Sequence, residues 1–217
     1  MLVGERMSRP AITIKPDVPI QEALNLMHKE KVRRFPVVDQ RGRLVGLVSE
    51  KDLLNASPSE ATSLSVWELN YLISQIKVER VMSRSIISVT EDTPLEEAAR
   101  IMADNNIGSL PVLRGNEIIG MITETDLFKI FLELLGARDA GIRITVLVID
   151  KPGKLHELTG AILSAGGNIV ALGTFLGNKV ENRTVTIKIA NLSLEKARET
   201  VLPWVQEIVD IREMKVD

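Results

Sequence analysis

A mixed α/β (α+β) chain is predicted, in which two copies of one β-α-β-β-α unit precede a separate β-α-β-β-α-β domain. The duplication is the first reason. With a shift of 75 positions Met7-Ser8 falls on Met82-Ser83, Pro19 on Pro94, Ala23 on Ala98, Met27 on Met102, and Phe35-Pro36-Val37 on Leu110-Pro111-Val112. After one residue is lost in a turn the shift becomes 74, and Gly46 meets Gly120, Ser49 meets Thr123 and Asp52 meets Asp126. A repeat at this period implies two copies of one supersecondary module, neither of which buries its apolar face alone, stacked with clefts between them. The second reason is a change of pattern after Gly136, where strong β runs alternate with two helical stretches. The third is composition: 217 residues, 45% hydrophobic and 26% charged, suffice for two or three small domains with proper cores.

Taken in order, residues 11–15 read as extended. A helix follows over residues 19–30, with Pro19 at its first position and Ile20, Ala23, Leu24 and Met27 on one face. Strands at 35–38 and 44–48 are joined by the turn Asp39-Gln40-Arg41-Gly42, and a short helix starts near Ser49. The second copy repeats this order. There Thr93 stands three residues before Glu96 as a helix-start signature, and Arg114-Gly115-Asn116-Glu117 makes the shorter turn. Residues 55–65, rich in Ser, Ala and Pro, read as a connecting loop. Beyond them a capping pattern of Ser65 with Glu68, and apolar Val66, Leu69, Ile73 and Ile76, predict a helix of their own. In the last domain, strands are expected at 142–149, 168–175, 183–190 and 208–214 and helices at 153–165 and 192–202, which is the ferredoxin-like order. The expected organisation is therefore repeat 1 at 1–60, a linker with a helix at 61–77, repeat 2 at 78–135, and a C-terminal domain at 141–217.

Composition excludes several classes of function. The chain has no cysteine, hence no disulfide framework, thiolate nucleophile or thiolate metal site. A net charge of −2 without a concentrated basic stretch argues against nucleic acid, and 3% aromatics leave few stacking platforms. Apolar runs are too short for a membrane span and the first residues lack a signal-peptide pattern, so a cytoplasmic protein is expected. No nucleophile-elbow, dinucleotide or P-loop motif occurs, and His28 and His156 both fall in predicted helices, so no enzyme is expected.

In each repeat an apolar strand preceded by Gly ends in a hydroxyl residue with Asp three positions later: GLVSEKD at 46–52 and GMITETD at 120–126. At a strand-to-helix junction this spacing aims hydroxyl and carboxylate into one crevice beside a helix N-terminus, whose free N–H groups favour phosphate. Such an Asp can accept from both hydroxyls of a ribose, while Ser49 or Thr123 can donate to a phosphate oxygen. The same spacing is also a helix cap with an acid in the first turn, which needs no ligand. Glu50, Asp52, Glu124 and Asp126 suit Mg²⁺ only alongside a bound nucleotide.

Each unit, with Met-Ser near its start, the Phe35-Pro36-Val37 or Leu110-Pro111-Val112 strand and the Gly-apolar-apolar-Ser/Thr-x-x-Asp close, resembles the cystathionine-β-synthase (CBS) domain, which works as a tandem pair. That resemblance covers about residues 3–131 and implies adenosine ligands (AMP, ADP or ATP, in some members S-adenosylmethionine or NAD) in two clefts between the repeats. It places the ribose role on Asp52 and Asp126 and the hydroxyl role on Ser49 and Thr123. It sets Thr13 and Ser88 beside the adenine, and Val32 and Arg34, with Ile107 and Ser109, along the pocket wall. Arg33-Arg34 stands where the second copy has Gly108-Ser109, so one cleft is expected to clamp phosphate better than the other; two solvated arginines are the alternative.

The strings IDKPGKL at 149–155 and AGGNIVAL at 165–172, within a βαββαβ order, resemble the ACT domain, a module that binds amino acids at subunit interfaces. By that likeness Asp150, Gly153 and Leu155 meet Asn168 and Ile169 of a partner subunit around an amino acid. Serine-binding members have His where this chain has Val148. Many such domains only dimerise. Two CBS units followed by one ACT domain resemble the bacterial acetoin utilisation regulatory proteins. The expectation is a non-catalytic ligand sensor, a homodimer or larger; the alternative is a structural module that docks on a partner enzyme with its clefts empty.

Overall fold

The structure is a computed structural model and describes residues 1–56 and 75–215. It divides into two compact units, Met1–Leu127 and Phe128–Asp217. The first holds, in order, α1 (Val3–Arg6), α2 (Ile20–Glu30), β1 (Arg34–Val38), β2 (Leu44–Ser49), α3 (Glu50–Ala56), α4 (Val78–Val81), β3 (Val89–Thr90), α5 (Leu95–Asn105), β4 (Ser109–Arg114) and β5 (Glu117–Thr123). Helix α6 (Glu124–Leu134) runs through the division. The helix expected over residues 65–76 lies almost wholly outside the described residues, as does most of the connecting loop; Asn55 and Ala56 close α3 instead.

In each repeat the amphipathic helix buries one stripe: Ile20, Ala23, Leu24 and Met27 on α2, and Leu95, Ala98 and Met102 on α5. Both helices end on a left-handed residue, Lys31 and Asn106. Two expected starts differ. Pro19 and Pro94 are the residues before the first turn, with extended backbone, not its first members. Thr93 does not cap α5: its Oγ1 accepts from Thr90 N at 3.1 Å, holding the turn that precedes the helix. A proline directly after Thr93 has no N–H and fixes the approach to the helix by itself.

β1 pairs antiparallel with β2, and β4 with β5, each with a register shift at the matching place, Val37/Val38 and Val112/Leu113. β3 lies parallel to β4, and the isolated bridge Ile14 to Val37 is its counterpart in the first repeat. The leading segments cross over. Ser8, from the start of repeat 1, bridges Met121 on β5 of repeat 2, and Ser83, from the start of repeat 2, bridges Leu47 on β2 of repeat 1. Accordingly the first core, built on Met27, Phe35 and Leu53, is completed by Val78 and Met82 of the second repeat's opening turn. Full burial of side chains of this size is worth about 1.5–3 kcal/mol each.

In the second unit β6 (Gly141–Ile149), α7 (Lys154–Ser164), β7 (Asn168–Leu176), β8 (Asn182–Ala190), α8 (Leu194–Val201), a 3₁₀ turn (Leu202–Trp204) and β9 (Glu207–Met214) form an antiparallel four-stranded sheet in the order β7-β8-β6-β9. This is the βαββαβ order read from the sequence. Alternate residues Ile144, Val146, Val185, Ile187 and Ile189 face Leu158 and Ile162 of α7 and Ala197 and Val201 of α8. On the other side of the sheet Lys188, 3% exposed, donates from Nζ to Gly136 O at 2.6 Å. That contact fastens the turn after α6 to the sheet.

Candidate functional site

Both Ser/Thr-x-x-Asp motifs form reciprocal helix caps. Ser49 Oγ accepts from Asp52 N at 3.2 Å, while Asp52 Oδ2 accepts from Ser49 N at 2.9 Å and Ser49 Oγ at 2.6 Å. Thr123 and Asp126 repeat the pattern at 3.3, 3.0 and 2.7 Å. The head of each helix is pinned as well, Glu50 N donating to Arg33 O at 2.9 Å and Glu124 N to Gly108 O at 3.2 Å. A cap of this kind satisfies helix N–H groups that otherwise lack partners. It also holds each carboxylate in one orientation.

A cavity of about 650 Å³ opens between the repeats. The first repeat supplies Lys31, Val32, Arg33, Arg34, Ser49, Glu50 and Lys51. The crossing segment adds Ser8, Pro10, Ala11 and Ile12; the second repeat adds Gly108, Met121, Thr123, Glu124, Thr125 and Asp126. Arg34 spans the two copies, its Nη1 donating to Gly108 O at 3.1 Å. Of the residues singled out in the sequence, Val32, Arg33, Arg34, Ser49, Thr123 and Asp126 are therefore brought together. Four cations stand against three carboxylates in a hollow of nucleotide size, an arrangement suited to an anionic ligand with an apolar part.

Five expected residues do not line this cavity. Thr13 lies one residue beyond Ile12, and Ser88 precedes β3. Asp52 is engaged in the cap of α3. Ile107 is half-buried, and Ser109 is 2% exposed with an Oγ that is buried without a hydrogen-bond partner. Lys31, Lys51, Ser8, Pro10, Ala11 and Ile12 were not anticipated as lining, and Glu50 and Glu124 were expected only as acids for Mg²⁺ beside a nucleotide. The repeat period shows what is duplicated but carries no signal for the crossing that brings Ser8, Pro10, Ala11 and Ile12 here.

In the second unit Asp150 follows β6 directly, and its Oδ2 accepts from Arg183 Nε at 2.9 Å. Gly153, at φ +88°, precedes α7, and Leu155 sits exposed in the first turn. Asn168 and Ile169 begin β7, opposite Ala190 and Ile189. The two sets occupy opposite ends of the sheet, separated by the length of β8, about 27 Å at 3.4 Å per residue. A separate open hollow of about 660 Å³ lies among α7, α8 and Trp204 and contains none of these residues. Among the described residues no group of three or more His, Asp or Glu could hold a metal ion, and no helix is long and apolar enough to cross a membrane.

Comparison with known proteins concerns chiefly the first unit. The CBS-domain family profile matches residues 3–59 and 78–133. Among solved structures, the CBS-domain pair of protein MJ0100, in complex with 5′-methylthioadenosine and S-adenosyl-L-methionine, is 27% identical, with a TM-score of 0.52 over 64% of this chain and 98% of that one. CBSX2 in complex with AMP is 31% identical, TM-score 0.52, over 61% of this chain and 97% of that one. A putative acetoin utilization protein, AcuB, from Vibrio cholerae is 30% identical, TM-score 0.52, over 63% of this chain and 93% of that one. Pairs of CBS domains are generally ligand-sensing regulatory modules. With one match in each repeat and just over half of its residues matched, this chain belongs to the CBS-domain family.

Proposed function

We propose that the cavity between the repeats binds an adenine nucleotide, AMP, ADP or ATP, and that the chain is a non-catalytic sensor. The observation that carries this reading is the meeting of Arg33 and Arg34 with Thr123 and Asp126 in one hollow. Guanidinium groups suit the phosphate, and a carboxylate fixed by its cap suits the ribose hydroxyls. Likeness to the AMP complex of CBSX2 and to MJ0100 with its adenosyl ligands supports the same class of ligand. In this arrangement the ribose carboxylate facing the arginines is Asp126, and Mg²⁺ enters only with the nucleotide. Asp52, Thr13, Ser88, Ile107 and Ser109 belong to a second, weaker cleft. Binding acts as a switch to the degree that it favours one arrangement of the repeats over another.

For the second unit we propose an ACT domain, with domain limits as read from the sequence. Its sheet order and the left-handed Gly153 after β6 favour that reading. Because Asp150, Gly153 and Leu155 lie at the far end of the sheet from Asn168 and Ile169, an amino-acid site using both sets takes two chains. The same two-chain requirement favours a homodimer or larger assembly, proposed as cytoplasmic, and the likeness to AcuB favours a regulatory role of the acetoin utilisation kind.

Thermal-shift titration with AMP, ADP, ATP, S-adenosylmethionine and amino acids tests both parts, since a ligand of the native state stabilises it by about 2.7 kcal/mol at a hundred times its Kd. The nucleotide shift is expected to vanish in Asp126→Ala and to persist, reduced, in Asp52→Ala. No shift with any nucleotide overturns the sensor reading; no amino-acid shift, or one unchanged in Asn168→Ala, overturns the ACT site.

A further inference from the structure

We infer that Glu124 sets an upper limit on the charge, and hence on the phosphate count, of the anion that Arg34 holds in the cavity. In regard to nucleotides this rests on the function proposed above. The cavity's cations, Lys31, Arg33, Arg34 and Lys51, all come from the first repeat. From the second repeat it receives hydroxyls and two carboxylates, Glu124 and Asp126. Asp126 lines the cavity with its Oδ2 held in the cap of α6. Glu124 is placed differently. Its backbone N–H and Arg34 Nη1 both donate to the carbonyl of Gly108, at 3.2 and 3.1 Å. A Cβ on residue 108 would stand 2.6 Å from Glu124 Oε2 and 2.8 Å from Arg34 Nη2, so the two charged heads are no more than about 5.4 Å apart, over a glycine that leaves them room.

An anion that reaches Arg34 therefore comes within a few ångströms of a carboxylate. A single phosphate can take the guanidinium on its far side from Glu124. Each further phosphate adds negative charge inside a Debye length of Glu124, where screening is incomplete. Among the described residues the first repeat has no equivalent arrangement: Glu50, the counterpart of Glu124, also lines the cavity but is engaged at Oε1 by His28 Nε2 at 3.1 Å. The preference that follows is for monophosphates over triphosphates, with Arg34 favouring any phosphate over none.

The test is calorimetric titration of wild type, Glu124→Gln, Glu124→Ala and Arg34→Met with adenosine, AMP and ATP, and in parallel with inorganic phosphate and tripolyphosphate. Removing one charge acting at some 8 Å through a partly screened medium is expected to raise the ATP-to-AMP affinity ratio about fivefold in both Glu124 variants. Adenosine, which carries no phosphate, should change less than AMP and ATP do, and thermal unfolding of each variant checks that it folds. Arg34→Met should remove the advantage of AMP over adenosine. An unchanged ATP-to-AMP ratio, or an equal change for adenosine, overturns the inference. If no adenosine compound binds, a tripolyphosphate-to-phosphate ratio that rises in the same variants upholds the role of Glu124 while the nucleotide reading falls; a flat ratio overturns both.

Discussion

Replacing Gly120 by alanine puts the crossing of the leading segments under load. A Cβ at this position would stand 2.6 Å from Met7 Sδ and 2.8 Å from Ser8 O. Ser8 cannot retreat freely, because it exchanges two backbone hydrogen bonds with Met121, at 2.9 and 3.0 Å. Gly46 is the matching position in repeat 1, but there the close atoms belong to the side chain of Met82, and the nearest backbone oxygen, Ser83 O, is 3.2 Å away. A methionine side chain can move aside. Alanine at either site limits the unfolded chain and so returns about 0.4–1 kcal/mol, against an overpacking cost of about 1–3 kcal/mol where the neighbour cannot give. The expected outcome is a net loss of about 1–2 kcal/mol for Gly120→Ala and a change within about 1 kcal/mol of zero for Gly46→Ala. At about 3 °C per kcal/mol, differential scanning calorimetry separates the two. Ser8, Pro10, Ala11 and Ile12 line the cavity, so Gly120→Ala should also weaken AMP binding, by about fivefold for each kcal/mol lost at the site. Equal Tm values for the two variants, or a greater loss at Gly46, would refute the reasoning.

Two further outcomes follow from particular side chains. Ser109→Ala removes a buried hydroxyl that makes no hydrogen bond and should raise stability by about 0.5–1 kcal/mol, read as a higher Tm; a fall of that size would show that the hydroxyl has a partner. Asp39 accepts from the backbone N–H groups of Arg43 and Arg41, and the Arg43 N–H before all else holds its carboxyl below the usual aspartate range. A carboxyl depressed in this way stabilises the fold above its unfolded value of about 3.9 and loses that contribution as pH falls through the lower, folded value. Denaturation curves at pH 7 and pH 3 should thus show a smaller loss in Asp39→Asn than in wild type, and parallel losses would sink the assignment.

The period of 75, and of 74 after the shortened turn, made the two units and their strands legible because side-chain alternation and helical spacing are local signals. The C-terminal sheet was legible for the same reason. The crossing was not. A repeat whose opening segment joins its own sheet and one whose opening segment joins its neighbour's carry identical residues, so Ser8 beside Met121 follows only from the three-dimensional pairing. The lining by Ser8, Pro10, Ala11 and Ile12 depends on that pairing and was missed with it. Thr93 shows the opposite failing: its spacing to Glu96 matched a cap, yet Pro94 intervenes and the hydroxyl turns back to Thr90.

Helix capping and ligand binding, read from the sequence as competing uses of Ser/Thr-x-x-Asp, are compatible in the structure. The cap engages Oδ2 of each aspartate and the hydroxyl of its partner, and replacing such a cap typically costs about 1 kcal/mol. A carboxylate already fixed at that level loses little further freedom when a ribose approaches, so the cap lowers the entropic cost of binding. Both motifs have this property, and the cap alone therefore cannot make one cleft differ from the other. The difference comes from what faces each cap. Asp126 looks into a cavity walled by Arg33 and Arg34, whereas the corresponding places in the second repeat are held by Gly108, which leaves space for Arg34, and by Ser109, which is buried. One substitution pair between the copies has thus moved both arginines to a single side, and the fold converts a nearly symmetric sequence into one cationic cavity.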